Sequence, residues 1–227
     1  MNSMEHKGKV FGIGLSKTGT TSLASALEML GYKSIHARSA DEIETHEAST
    51  DVPVAARYRQ LDKLYPGSRF ILTVRDVDSW VESCRKHFNN YSPYRINNVK
   101  LAAEYGFCRG VLYGIDHFDP DVFRAAYQRH TEGAREYFRD RPNDCLELNI
   151  IAGEGFDKLC PFLSKPTLQA TFPKANEYTP RDPHDLNLTK HATQARVEQM
   201  KQAQQHLRLA VSLIFRSFFT RSGTFGK

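Results

Sequence analysis

The chain has 227 residues, of which 40% are hydrophobic and 25% are charged, and its formal net charge is +5. A chain of this length and composition can bury one sizeable core, which excludes a disordered or fibrous protein. It has neither an apolar signal-peptide core at its N-terminus nor the roughly 20 consecutive apolar residues of a membrane span. The four cysteines form no CxxC pair, which disfavours a zinc site or a disulfide framework, so we expect a cytoplasmic protein.

Strands and helices are predicted to alternate along the chain. Short apolar runs predict strands at residues 9–14, 70–74 and 146–150. Apolar residues at helical spacing predict helices at 22–31, 54–65, 79–87, 121–139 and 155–163. This order predicts an α/β fold of three layers with a central parallel sheet. The aromatic segment 89–118 is weakly periodic and is interpreted either as packed core or as the wall of a substrate pocket.

Residues 166–227 are predicted to be an irregular segment followed by a long C-terminal helix at about 189–219. The whole chain, 1–227, is predicted to be one domain with its core at about 9–165. The helix is too short to span a membrane, so we expect it to dock on the protein body, on a second copy in a homodimer, or on a membrane surface. Residues 190–227 hold 7 basic and 1 acidic side chains. A solvated helix face explains this excess, and no nucleic-acid partner is predicted.

The strongest chemical signal is the segment GLSKTGTTSL, residues 14–23, between the first predicted strand and helix. A glycine-rich turn at that place directs backbone N–H groups and the positive end of the helix dipole at one point, and such a point binds phosphate-like anions. Lys17 adds a mobile positive charge. Further donors are the hydroxyls of Thr18, Thr20, Thr21 and Ser22. The alternative is an ordinary strand–helix turn in which Gly19 serves only backbone shape.

The loop differs from the Walker A pattern GxxxxGK[ST]. Gly14 and Gly19 have the Walker separation, but Thr20 occupies the lysine position and Lys17 precedes the second glycine. The strand at 70–74 is followed by Arg75, where a nucleotide triphosphatase would be expected to present an acidic metal ligand. The sequence therefore predicts an anion site that is not built for a magnesium nucleotide.

These residues resemble the sulfotransferases that use 3′-phosphoadenosine 5′-phosphosulfate (PAPS), and most closely the small bacterial-type branch of that P-loop-like fold. Their 5′-phosphosulfate loop reads approximately K-[ST]-G-T-T, which Lys17 to Thr21 match, and their 3′-phosphate site is an Arg with a Ser eight residues later, as are Arg75 and Ser83. The resemblance covers about residues 9–165 and implies PAPS as donor, adenosine 3′,5′-bisphosphate as product, no required metal and a small-molecule acceptor. It implies that the donor is bound by Ser16, Lys17, Thr18, Gly19, Thr20, Thr21, Ser22, Arg75 and Ser83. Ser16 and Ser22 depart from the usual Pro and aromatic residue of the family.

The resemblance also implies catalytic roles. Lys17 is placed to stabilise the leaving phosphate, and Asp51 in Thr-Asp-Val-Pro stands where the animal cytosolic enzymes carry a catalytic histidine. The alternative for Asp51 is the N-terminal cap of a helix that begins near Pro53. His46 is the alternative base.

Several other side chains are weaker candidates. We expect His36, which follows a possible short strand at residues 33–35, to be structural or exposed in a loop. We expect Trp80 to pack against the sheet, although it could instead stack on adenine. Three single cations in predicted loops could meet an anionic cofactor or acceptor, although such side chains are usually solvated: Lys174, Arg109 and Arg181. His184 and His191 have no partner at metal spacing, so no metal is predicted.

The leading prediction is a sulfotransferase that acts on a hydroxyl or amine of a small molecule. Two alternatives stay open: an ATP-dependent small-molecule kinase with a non-standard P-loop, and a non-catalytic nucleotide-binding protein.

Overall fold

The structure is a computed structural model that describes residues 8–37, 39–89, 99–115 and 117–175. All of them belong to one compact unit, Met1–Tyr178. The strands are β1 Val10–Gly12, β2 Ser34–His36, β3 Ala48–Thr50, β4 Arg69–Thr73 and β5 Cys145–Leu148. The α-helices are α1 Thr20–Met29, α2 Ala40–Glu44, α3 Val52–Ala55, α4 Tyr58–Leu64, α5 Val77–Asn89, α6 Val99–Tyr113, α7 Pro120–Phe138 and α8 Phe156–Phe162.

The five strands form one parallel sheet in the order β2-β3-β1-β4-β5. From β1 the chain builds β2 and β3 on one side and then crosses to build β4 and β5 on the other. The carboxyl end of β1 is therefore a topological switch point, the place where open α/β sheets bind ligands. The segments that follow β1, β3 and β4 all leave the sheet at this edge. They contain, in that order, the loop at residues 14–19 that the sequence predicts to bind an anion (the anion loop), Asp51 and Arg75.

Alternate side chains of the central strands pack on opposite faces of the sheet. Phe11 and Phe70 pack with α4 and α7 on one face, and Val10 and Ile71 pack with α1 and α8 on the other. A strand buried on both sides must be apolar on both faces, which explains the continuous apolar runs in the sequence. A third cluster, centred on Trp80, joins α5, α6 and α7 beyond the edge of the sheet. The three-layer α/β architecture predicted from the sequence is confirmed.

The element boundaries differ from the sequence prediction in three places. The helix predicted over 54–65 is two helices, α3 and α4, and the aromatic segment contains a third helix, α6, that the sequence did not reveal. Strands β2 and β3 were missed, apart from a possible strand noted just before His36. The predicted C-terminal helix lies outside the described residues.

Among the described residues, no helix combines the length and apolarity that crossing a membrane requires. The four cysteines are free thiols, and three of them are buried: Cys84, Cys108 and Cys160.

Candidate functional site

The loop from Gly14 to Gly19 is shaped by close packing against β4 and by residues with positive φ. A Cβ added to Gly14 would lie 2.5 Å from the carbonyl oxygen of Thr73, so only glycine fits there. Gly19 has a φ of 101° and Lys17 a φ of 71°. This region of backbone space suits Gly19 but is uncommon for a lysine. The loop therefore holds Lys17 in a conformation that the surrounding structure has to enforce.

The hydroxyl groups of the loop and of the first turn of α1 differ in their hydrogen-bond partners. The buried Thr18 Oγ1 donates to the Leu15 carbonyl over 2.6 Å and lies 2.6 Å from Thr73 Oγ1. Thr18 therefore ties the loop to β4. Ser22 Oγ accepts a bond of 3.0 Å from the backbone N–H of Ala175, and Thr20 Oγ1 lies 3.1 Å from His36 Nε2. The sequence predicted all of these hydroxyls as donor ligands, whereas the structure gives Thr18 a supporting position.

The N-terminus of α1 offers backbone donors to an anion. Leu23 N–H bonds to Gly19 O over 2.9 Å. In an α-helix the N–H groups of the first turn precede this i→i−4 pattern and point along the helix axis. The N-cap residue is Gly19, which has no side chain to bond to them. Burial lowers the pKa of the neighbouring Lys17 ammonium, while Cys84 raises this pKa and the charge of Arg75 lowers it further. A helix N-terminus with its dipole and a partly desolvated cation are the features from which proteins build anion sites.

Arg75, directly after β4, places a second positive charge beside the loop. Its Nε donates to Ser79 Oγ over 2.7 Å, and its Nη1 donates to the Lys17 carbonyl over 3.4 Å. Tyr127 OH fixes the Arg75 backbone, because it accepts from the N–H over 2.9 Å and donates to the carbonyl over 2.5 Å. Ser83 is half-buried one turn further along α5, on the same face as Ser79. Ser79 was not predicted; its place four residues before Ser83 on a helix was the signal.

Asp76, the first acidic residue after β4, has a structural task. Its Oδ1 accepts from Ser79 N–H over 2.9 Å and its carbonyl accepts from Trp80 N–H over 2.8 Å, so Asp76 caps the start of α5. Among the described residues, no group of three or more His, Cys, Asp or Glu side chains is placed to hold a metal ion.

Trp80 supports the loop from below. Its ring is fully buried and packs against Phe123 and Tyr127, with ring centroids 5.9 and 4.8 Å away. Its Nε1 donates to the Ser16 carbonyl over 2.8 Å. Trp80 therefore packs against α7, whereas the sequence predicted packing against the sheet, and its hydrogen bond fixes the loop backbone.

Asp51, directly after β3, turns its carboxylate toward the loop. It occupies the N-cap position of α3, but its side chain makes no capping hydrogen bond. Oδ1 accepts from Ser16 Oγ over 3.4 Å, and Oδ2 accepts from Tyr105 OH over 3.0 Å. The residue is 5% exposed with φ 88° and ψ −175°, a conformation that is almost restricted to glycine. The capping interpretation of this side chain is therefore wrong, and the carboxylate faces the anion loop.

His36, which the sequence predicted to be structural or exposed in a loop, lies at the end of β2 beside Asp51. It ends β2 in register with Thr50 of β3, so its ring reaches the same edge as Asp51. Its Nδ1 lies 3.5 Å from Asp51 Oδ2, and its side chain is 31% exposed against 8% for Asp51. The alternative base, His46, lies before β3 at the opposite edge of the sheet, where its Nδ1 is 2.7 Å from the Glu42 carbonyl.

Three cationic side chains act on one buried thiol behind the loop. Burial raises the pKa of Cys84, while the charges of Lys17, Arg75 and Arg109 act in the opposite direction. Arg109 lies on α6, is 7% exposed and places its guanidinium 4.2 Å from the Phe88 ring centroid. It is not the solvated loop cation that the sequence suggested. Lys174 is exposed, and Arg181, His184 and His191 lie outside the described residues.

A cleft of about 430 Å³ opens beside Arg75, between the carboxyl ends of β4 and β5 and helix α7. Its walls include Gln128, Thr131 and Asn149, and an ion pair of 2.8 Å between Arg135 and Glu147. This volume is within the usual range of small-molecule sites.

A parallel sheet with an anion loop at its switch point makes this chain a P-loop-like α/β protein. The family model described as "Sulfotransferase domain" matches residues 9–47 and 40–179. These matches span most of the chain and include the loop, Asp51 and Arg75. The chain therefore belongs to the sulfotransferase family, and it is a transferase. A search of curated proteins found no match.

Proposed function

We propose that this protein transfers a sulfuryl group from PAPS to a hydroxyl or amine of a small-molecule acceptor. The observation that carries the proposal is the meeting of two separate cationic sites at one sheet edge. Arg75 lies within 3.4 Å of the loop backbone at Lys17 while its Nε is held by Ser79. A donor with one phosphate at the sulfuryl end and a second phosphate on the ribose needs two such sites.

The residues present fit this donor. Backbone N–H groups at the start of α1 and the Lys17 ammonium would hold the phosphosulfate end, and the planar guanidinium of Arg75 suits an isolated phosphate. Ser79 and Ser83 would add hydroxyls to the second site. When bound, the donor supplies the sulfuryl group and a phosphate leaving group.

Two side chains are proposed to act in the transfer. Lys17 supplies positive charge where negative charge grows on the leaving oxygen, an effect that is strongest in a partly desolvated site. Asp51 receives the proton of the acceptor, because its carboxylate faces the loop and is held there by Ser16 and Tyr105. Its strained backbone supports this role over a structural one.

The experiment is a calorimetric titration with adenosine 3′,5′-bisphosphate and with ADP, each with and without Mg²⁺. We expect metal-independent preference for the bisphosphate. Arg75→Ala removes charge-assisted hydrogen bonds worth about 1.5–3 kcal/mol, so the bisphosphate should bind about 10- to 100-fold more weakly. Arg85→Ala is the matched control, because Arg85 lies on the same helix in an exposed pair with Glu82.

Preference for Mg-ADP, or no effect of Arg75→Ala, would contradict the proposal and favour the kinase alternative. Binding followed by no transfer of labelled sulfate to any of a panel of phenols, alcohols and amines would favour the non-catalytic alternative.

A further inference from the structure

The ring of His36 bridges two parts of the site that come from different elements. On one side its Nδ1 lies 3.5 Å from the Asp51 carboxylate, and on the other its Nε2 lies 3.1 Å from the hydroxyl of Thr20, the first residue of α1. We propose that His36 is a positioning residue that holds the proton-accepting carboxylate and the anion loop in a fixed relation. This inference rests on the proposed function, because it assigns His36 to the same reaction.

The backbone around His36 makes this bridge rigid. His36 pairs with Thr50 across β2 and β3, and Ala37 N–H donates to the Thr50 carbonyl over 3.0 Å. Thr50 Oγ1 in turn donates to the Thr20 carbonyl over 3.0 Å. The ends of β2 and β3 are thus tied to the first turn of α1 by backbone and side chain, which leaves His36 little freedom to move away from either partner.

The chemistry of the two contacts differs. An ionised carboxylate only accepts hydrogen bonds, so the ring nitrogen that faces Asp51 is the one that carries a proton. The other nitrogen decides the orientation of the Thr20 hydroxyl, next to the backbone donors that would meet the anion. One ring therefore acts on Asp51 and on the loop through separate atoms.

The conformation of Asp51 explains why such a support is needed. A residue with φ 88° and ψ −175° stays in that conformation only when its surroundings hold it. Tyr105 OH and Ser16 Oγ contact the carboxylate from α6 and from the loop. His36 contacts it from β2, so the carboxylate is supported from three separate segments.

The separate roles of the two nitrogens allow a test with amide side chains. The amide nitrogen of an asparagine lies near the position of Nδ1, and that of a glutamine near the position of Nε2. His36→Asn should therefore keep the contact with Asp51, His36→Gln should keep the contact with Thr20, and His36→Phe should lose both. The exposed His117 provides a control variant, His117→Gln.

Two readouts are measured on the full chain: the Kd for adenosine 3′,5′-bisphosphate and the kcat for sulfuryl transfer from PAPS to the member of the panel of phenols, alcohols and amines that reacts fastest with the wild-type protein. We expect His36→Phe to weaken bisphosphate binding about 2- to 10-fold, as for the loss of one hydrogen bond, and to lower kcat about tenfold or more. Compared with His36→Phe, His36→Gln should recover the wild-type Kd more fully than the wild-type kcat, because it keeps the contact with Thr20. His36→Asn should recover kcat more fully than the Kd, because it keeps the contact with Asp51. Circular dichroism verifies that each variant folds. If His36→Phe does not fold, the two amide variants are compared directly with the wild-type protein.

A wild-type protein that binds the bisphosphate, with variants that leave Kd and kcat unchanged, would overturn this inference and leave the proposed function standing. Equal effects of the asparagine and glutamine variants on both readouts would overturn it too, because they indicate packing alone. A wild-type protein that does not bind the bisphosphate would overturn the proposed function, and this inference with it.

Discussion

Replacement of Asp51 by asparagine separates a role in proton transfer from a role in holding the loop. Asparagine has the same shape as aspartate, so it meets the same backbone strain at this position as the wild-type residue. Its amide keeps one acceptor oxygen for the Tyr105 hydroxyl, which lies 3.0 Å from Oδ2, but it has almost no capacity to take a proton. The variant therefore removes basicity and little else.

The expected magnitudes follow from these contacts. One of the two hydroxyl donors loses its acceptor, which costs about 1 kcal/mol, and the removal of a buried charge offsets part of that cost. The free energy of unfolding should thus fall by no more than about 1 kcal/mol. General base catalysis contributes about 100- to 10,000-fold, so kcat should fall at least about 100-fold. The Kd for the bisphosphate should not rise, since Asp51 donates no hydrogen bond to the anion and the loss of its negative charge removes a repulsion.

Urea unfolding, calorimetry and steady-state kinetics measure the three quantities. Asp119→Asn is the matched control, because Asp119 does cap its helix by accepting from the N–H groups of Asp121 and Val122 over 3.0 and 2.9 Å. A fall in kcat below tenfold would refute the base role. A loss of bisphosphate affinity as large as the loss of kcat would show that Asp51 holds the loop instead.

Three further changes probe the loop and its supports. Gly14→Ala should lower the unfolding free energy by about 1–3 kcal/mol or prevent folding, because its Cβ would meet Thr73. Gly106→Ala should leave the unfolding free energy unchanged by packing, because there is open space around its Cβ; equal urea midpoints for the two variants would refute this argument. Bisphosphate affinity should decline as the pH rises toward the lowered pKa of Lys17, and this decline should begin at a lower pH than for a lysine with the ordinary pKa of about 10.4. Lys17→Arg should remove the decline, so identical pH profiles for the two proteins would contradict this role of Lys17. Trp80→Phe should cost about 1–3 kcal/mol of stability by leaving the Ser16 carbonyl unpaired, and an unchanged urea midpoint would exclude a supporting role for that bond.

The sequence predicted the parallel sheet and the loop because their signals are local. The apolar runs of β1 and β4 and the glycine spacing of the loop lie within a few residues of each other. Strands β2 and β3 have three residues each, fewer than the roughly four to eight over which alternation or an apolar run marks a strand, and they contain polar side chains such as Ser49. Because β2 was not assigned, His36 could not be placed beside Asp51.

The orientation of a side chain was beyond the sequence for a different reason. Thr-Asp-Val-Pro has the composition of a helix start, and Asp51 does stand at the N-cap position. Only its backbone φ of 88° turns the carboxylate away from the helix and toward Tyr105. Local residue preference favours a cap, whereas the tertiary contacts of the carboxylate decide the conformation, and those contacts come from residues 35 and 54 positions away.

The location of backbone strain supports the assignment of roles. Among the described residues other than glycine, positive φ occurs at Lys17, Asp51 and Ser164. Such conformations cost about 1–3 kcal/mol each and persist where the surrounding structure enforces them. Two of the three occur at the residues proposed to stabilise the leaving group and to take the proton, on loops that follow neighbouring parallel strands. The rigid sheet and the buried cluster around Trp80 supply the contacts that hold this strain, so the same packing that stabilises the fold also sets the two side chains against a common anion site.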